Sequence, residues 1–297
     1  MLRRIVRPIS VLVFLTTFLS VSYAFGGPVI LGGDDLDDHG SFNGTVNVQG
    51  WLYIQTALQI LLATSTRPGA TPNTVAALGS ADDGAASNSG GGAINSAAAQ
   101  LSPPATVTYY DGAAAITQFF ADLASGATNP AVIWIPGNGA GNDIDALEGA
   151  ELTTNAIAIA DYVNSGGGLM SHGSGPDVYG WLTALIPGIV EDPICDSTGA
   201  TLTPAGIAAF PGISNSDVDA TAGPCHSSFS GSLGGLQVLV TDGGGLNFII
   251  GGGAGTSITA STAIPTLSEW AQIGMVALLL GGGLLAIRRK RQRLVIG

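Results

Sequence analysis

The stretch Pro28-Val29-Ile30-Leu31-Gly32-Gly33-Asp34-Asp35-Leu36-Asp37-Asp38-His39-Gly40 decides how the rest of the chain is read. A short apolar run halted by two glycines is the pattern of a buried strand, and the acidic loop behind it marks the strand's carboxyl end. Residues 48–63 follow with Trp51, Ile54, Leu58 and Leu61 at helical spacing, which predicts an amphipathic helix. The alternation then repeats. Residues 105–110, 131–135 and 169–171 read as strands, and 113–124 and 144–164 as helices. In the last of these, Ile144, Leu147, Ile157, Ala160 and Val163 form the apolar stripe, and Gly166-Gly167-Gly168 provides the stop. Residues 236–241 and 247–250 supply two further strands. Strands alternating with helices of this length imply an α/β domain, flavodoxin-like in outline, with a mostly parallel sheet covered on both faces.

The chain has 297 residues, 46% hydrophobic and 10% charged, with 45 glycines. Its mean hydropathy is +0.41. Those values suit one large domain and exclude a disordered polyelectrolyte. Charge is segregated. Arg3, Arg4 and Arg7 stand at the start and Arg288, Arg289, Lys290, Arg291 and Arg293 at the end, leaving Arg67 alone between them against all 21 acids. Without a basic footprint for phosphate backbones, nucleic acid is excluded as a partner. Residues 67–104 turn to Ala, Gly, Ser, Asn and Pro and read as a flexible surface insertion in a domain of residues 25–256.

Both ends read as address labels. A basic start, an apolar run over residues 9–21 and the small residues Ser22 and Ala24 form a signal peptide, residues 1–24, for signal peptidase. At the other end, residues 270–287 contain one polar side chain, Gln272, and span roughly 27 Å at about 1.5 Å per residue. That suits the bilayer core of about 30 Å, and the cations of 288–293 keep this end of a transmembrane helix in the cytoplasm. The body is thereby expected outside the inner membrane. A small, polar linker, residues 257–263, precedes Ile264-Pro265-Thr266-Leu267-Ser268-Glu269-Trp270. This motif, with the apolar helix and basic tail, resembles the IPTL-CTERM sorting tail over residues 264–297. That tail is similar in layout to the PEP-CTERM tails handled by exosortase-type transpeptidases. Ala271 stands where typical members carry Gly. The resemblance implies a temporary membrane tether, an exosortase-type partner, and transfer to an extracellular matrix or surface glycan acceptor, with a cell-surface or extracellular destination.

In the body, residues 160–172 resemble the helix-to-strand passage of glutamine-amidotransferase-like domains, including the ThuA-like group. Catalytic members of that family carry a Cys nucleophile after such a strand. Here Ser171 and His172 stand in that region, so the thiol chemistry is not implied. Ligands in open parallel sheets bind beyond the strand carboxyl ends, which makes Asp34, Asp35, His39, Asn138, Ser171 and His172 the candidate cleft. The carboxylates of Asp34, Asp35, Asp37 and Asp38 repel one another, and Ca2+ would relieve this. The other reading is a hydrated loop whose Asp side chains cap a turn, and no cofactor is required by the sequence. Ser171-His172-Gly173 partly matches a nucleophile elbow, but neighbouring strand side chains point apart, so a triad would need His39 or His226. Cys195 and Cys225, an even pair in an exported chain, predict a disulfide contributing about 3 to 4 kcal/mol. A Cys225–His226 dyad is the alternative.

No complete catalytic set is legible, so the reading leans away from an enzyme, toward a surface-sorted binding or display domain. The alternative is a secreted hydrolase or amidase-like enzyme using the strand-end cleft. The topology is testable directly: protease added outside intact inner-membrane vesicles of native orientation should digest the acidic body and spare the Arg-rich tail. Loss of the tail instead overturns the orientation.

Overall fold

The computed structural model describes residues 26–84, 89–139, 143–220 and 223–252. The signal peptide, linker, sorting motif, transmembrane segment 270–287 and basic tail expected from the sequence lie outside the described residues. Among the described residues no helix is long and apolar enough to cross a membrane.

Strand β1 (Val29–Gly32) leads through β2 (Gly40–Phe42) and β3 (Asn47–Gln49) into α1 (Gly50–Thr64). Then come β4 (Thr71–Leu78), α2 (Gly90–Ala99), β5 (Thr106–Tyr110), α3 (Ala113–Ser125) and β6 (Pro130–Ile135). Helices α4 (Ala146–Thr154) and α5 (Ala156–Asn164) precede β7 (Gly168–Ser171). The short elements α6 (Gly175–Tyr179), α7 (Leu182–Leu185), β8 (Ile189–Asp192), β9 (Thr201–Leu202), α8 (Pro204–Ala209), α9 (Asn215–Val218) and β10 (Ser228–Gly231) lead to the closing strands β11 (Gln237–Thr241) and β12 (Asn247–Gly252). The main sheet has eight strands in the order β5-β4-β6-β7-β1-β12-β11-β9. The run from β5 to β1 is parallel. Beyond β1 the pairs are antiparallel, beginning with Val29 opposite Gly252.

The expected α/β domain with a large, mostly parallel sheet is present, and its strands are apolar on both faces because helices cover both. Side chains alternate strictly along each strand. Ile30, Val75, Ala77, Val132, Trp134 and Met170 face one way, onto Trp51, Ile54, Leu58 and Leu61 of α1 and Ile94 of α2. Val29, Leu31, Ala76, Ile133, Ile135 and Leu169 face the other way, onto Phe119 of α3, Leu152 of α4 and Val163 of α5.

Two expectations are corrected. Residues 67–104 are not a flexible insertion: they supply β4, which lies between β5 and β6, and α2. The segment is built of small residues because α2 runs against its neighbours without large side chains. A Cβ on Gly90 would lie 2.7 Å from Pro136 Cβ and 3.1 Å from Trp134 Cη2. Small composition here signals close packing rather than disorder. Residues 144–164 are two helices, broken at Asn155, whose side-chain amide bonds the Glu151 carbonyl at 3.0 Å and so competes with helix continuation. The break takes Leu147 and Ile157 off the buried stripe, where they are 70% and 67% exposed.

These burials set contrasting mutational outcomes. Leu58→Ala, at a fully buried position, should cost about 2–5 kcal/mol in urea unfolding. Ile157→Ala should stay within about 0.5 kcal/mol. Equal effects would contradict the two-layer packing.

Candidate functional site

Beyond the carboxyl ends of β1, β6 and β7, three loops meet, and Asp34 joins them. Its Oδ1 lies 2.6 Å from His172 Nδ1 and also accepts the Leu36 amide at 3.0 Å. Its backbone carbonyl accepts the amide of Gly173, and its backbone bridges Cys225. Gly173 has φ +101°, and a Cβ there would lie 2.8 Å from Asn138 Oδ1, so glycine lets the β6 and β7 loops touch. Asn138 uses that same oxygen to accept the Ser174 amide at 2.9 Å.

The disulfide between Cys195 and Cys225 is present, with Cα atoms 6.0 Å apart. It ties residues 223–227 to the body, and these lie along the β1 loop. The Asp35 amide donates to the Pro224 carbonyl at 3.0 Å, and the His226 amide to the Gly33 carbonyl at 2.8 Å. A Cβ on Gly33 would lie 1.9 Å from the Ser227 carbonyl oxygen, so the approach requires glycine. His226 Nε2 is thereby brought within 2.7 Å of Asp35 Oδ2, while His39 Nε2 lies 3.3 Å from Asp35 Oδ1. The cysteine is therefore a staple, and the Cys225–His226 dyad falls.

Asp37 is buried, its Oδ2 accepting the Gly137 amide at 2.9 Å and its carbonyl accepting the Trp51 indole at 2.6 Å. Asp143 accepts the amide of Gly90, the first residue of α2, at 3.1 Å. Burial raises the Asp37 carboxyl, against the opposing pull of His172 and the Gly137 bond. Asp38 is pushed up to about 7 by burial, then by Asp37 and Asp35. Asp143 is pushed up to about 8 by burial, then by Asp37 and Asp38. Burial works to lower His172, but the charge and bond of Asp34 carry it upward. His226 is raised chiefly by its bond to Asp35.

Of the residues singled out in sequence, Asp34, Asp35, His39, Asn138 and His172 join this network. Ser171 does not: its hydroxyl is buried and has no hydrogen-bond partner among the described residues, while His39 and His226 are held by Asp35. The carboxylates proposed for Ca2+ turn to separate partners: Asp34 to His172, Asp35 to two histidines, Asp37 to Gly137. Among the described residues no three His, Cys, Asp or Glu side chains are disposed to hold a metal ion. Sequence reading missed Asp143, although its carboxylate follows the Gly-rich turn after β6. It also missed Tyr179, whose hydroxyl donates to the Gly32 carbonyl at 2.7 Å. The arrangement can store and exchange protons, and His172 Nε2 is left without a partner among the described residues.

The comparison with known families concerns the other end of the chain. Residues 262–293 match the IPTL-CTERM motif. This IPTL-CTERM tail implies an exported, cell-surface protein handled by an exosortase-type enzyme. No curated protein and no solved structure matches the chain.

The raised acids fix a sign for pH dependence. The folded state holds protons on Asp38 and Asp143 that the unfolded chain releases near 3.8. Their stabilising contribution is complete below that value and is lost as pH rises through about 7 and 8. Asp143→Asn should therefore gain stability relative to wild type as pH rises from about 6 to about 9, read as the difference in urea midpoints. A constant difference across that window contradicts the assignment.

Proposed function

We propose that this chain is a surface-sorted binding or display protein, carried out of the cytoplasm by residues 1–24 and tethered through residues 270–287 until an exosortase-type enzyme transfers it to a surface acceptor. The observation that carries the reading is the motif match at residues 262–293. Proline fixes φ and disfavours helix at the residue before it, so Pro265 in the motif fits a recognition sequence better than a plain helical anchor. The acceptor class is extracellular matrix or surface glycan. The body is a glutamine-amidotransferase-like α/β domain without that family's thiol, and it binds or displays rather than catalyses.

A hydrolase or amidase-like reading has one observation in its favour, the buried Asp34–His172 pair, in which a carboxylate orients an imidazole as a triad requires. Against it, the nearest sequence candidate for nucleophile, Ser171, makes no bond to any histidine among the described residues.

Replacing Pro265-Thr266-Leu267 with three alanines separates a processing signal from a plain anchor. The altered protein should insert normally yet accumulate in the membrane at precursor length. Mature protein of normal size at the surface would reduce the tail to an anchor.

A further inference from the structure

Arg67 is the only Lys or Arg between Arg7 and Arg288. In so acidic a body a lone guanidinium would be expected to collect a carboxylate, yet among the described residues none pairs with it. It is held instead by neutral groups from two loops at the amino ends of neighbouring parallel strands and from α5. Its Nε donates to Asn129 Oδ1 at 2.6 Å, in the loop before β6. Its Nη1 donates to Ser165 Oγ, in the loop before β7. Its carbon sits 4.7 Å from the centroid of the buried Tyr162 ring. A guanidinium has five N–H donors in a rigid fork, and only Nε and one Nη1 hydrogen are bonded among the described residues, which leaves an Nη1–Nη2 pair of donors for a carboxylate.

Arg67 lines a groove of about 360 Å³ with one apolar wall, made by Phe120, Leu123 and Ala124 from α3. Asp161 stands exposed in the same groove, and its carboxylate has no hydrogen bond or ion pair among the described residues. Two opposite charges thus border one apolar space without neutralising each other. A simple anion would be repelled by the acidic body as a whole. A zwitterion has no net charge to repel and offers a pole to each side chain. The volume lies at the small end of ligand cavities, about 300–1,000 Å³. We infer that this groove binds a free amino acid with an apolar or aromatic side chain, its carboxylate on Arg67, its ammonium on Asp161 and its side chain against Phe120 and Leu123. The inference deepens the binding reading of the domain and is independent of the tail, so failure of the Pro265 experiment leaves it intact.

Calorimetric titration of the full chain in detergent with three probes tests it. L-Phenylalanine should bind, while L-phenylalaninamide, lacking the carboxylate, and 3-phenylpropionate, lacking the ammonium, should each bind at least about tenfold more weakly. Arg67→Ala should abolish binding. Because Arg67 also ties loops together, Ala124→Trp supplies the control: it fills the groove from an exposed position and should abolish binding with the melting temperature unchanged. Asp161→Asn should bring phenylalanine and 3-phenylpropionate to equal affinity. Absence of phenylalanine binding to the wild-type chain, equal binding of all three probes, or undiminished binding to a folded Ala124→Trp variant would overturn the proposal.

Discussion

Asp34 sits where β1, an inner strand of the sheet, ends, and its own loop, the loop after β7 and the Cys225 segment are registered against it. Its carboxylate fixes the imidazole after β7 and the first turn of its own loop, while its backbone receives Gly173 and bridges the disulfide-held Cys225. The residue is fully buried, as is its partner His172. Removing one member of such a pair leaves a buried group without its counter-charge, which is why breaking a buried pair costs far more than the pair contributes. The surrounding loops can be short on large apolar side chains because this polar junction, rather than hydrophobic packing, sets their positions.

The same end of the sheet concentrates negative charge that the fold neutralises with protons and histidines instead of lysine or arginine. Asp37, Asp38 and Asp143 are raised first by burial; neighbouring carboxylates add to the effect at Asp38 and Asp143, while His172 opposes it at Asp37. Such a cluster keeps a compact, low-charge interior in mildly acidic surroundings and becomes self-repelling in alkaline ones. At the opposite end, Arg67 occupies a setting of neutral acceptors and one aromatic face. The two ends therefore differ in chemistry as well as in position.

Much of the architecture was legible because buried parallel strands leave a strong trace. Residues 29–32, 131–135 and 169–171 are continuous apolar runs, and α1 shows a clean stripe from Trp51 to Leu61. What was lost is instructive. β4 and α2 were hidden by alanine and glycine, since a scale that looks for large apolar residues is blind to close contact between small ones. The break at Asn155 was hidden because Ile144, Leu147, Ile157, Ala160 and Val163 fall at helical spacing in the sequence whether or not one helix carries them. In the site, the acids of the β1 loop and His172 were found from their place after strands. The pairing of His226 with Asp35 was not, because the two residues stand 191 apart in the chain and meet only through backbone bonds between the β1 loop and residues 224–227.

The register of β12 against β1 has a mechanical consequence. Val29 lies opposite Gly252, so the tail departs from a strand flanked on both sides, by β1 and by β11. A pull along that strand, from a covalent attachment beyond residue 252, loads the two ladders in shear. Their hydrogen bonds must then yield together rather than one after another. A domain fastened to a surface through this strand is gripped at the middle of its sheet, where tension is shared, and not at an edge from which it would peel.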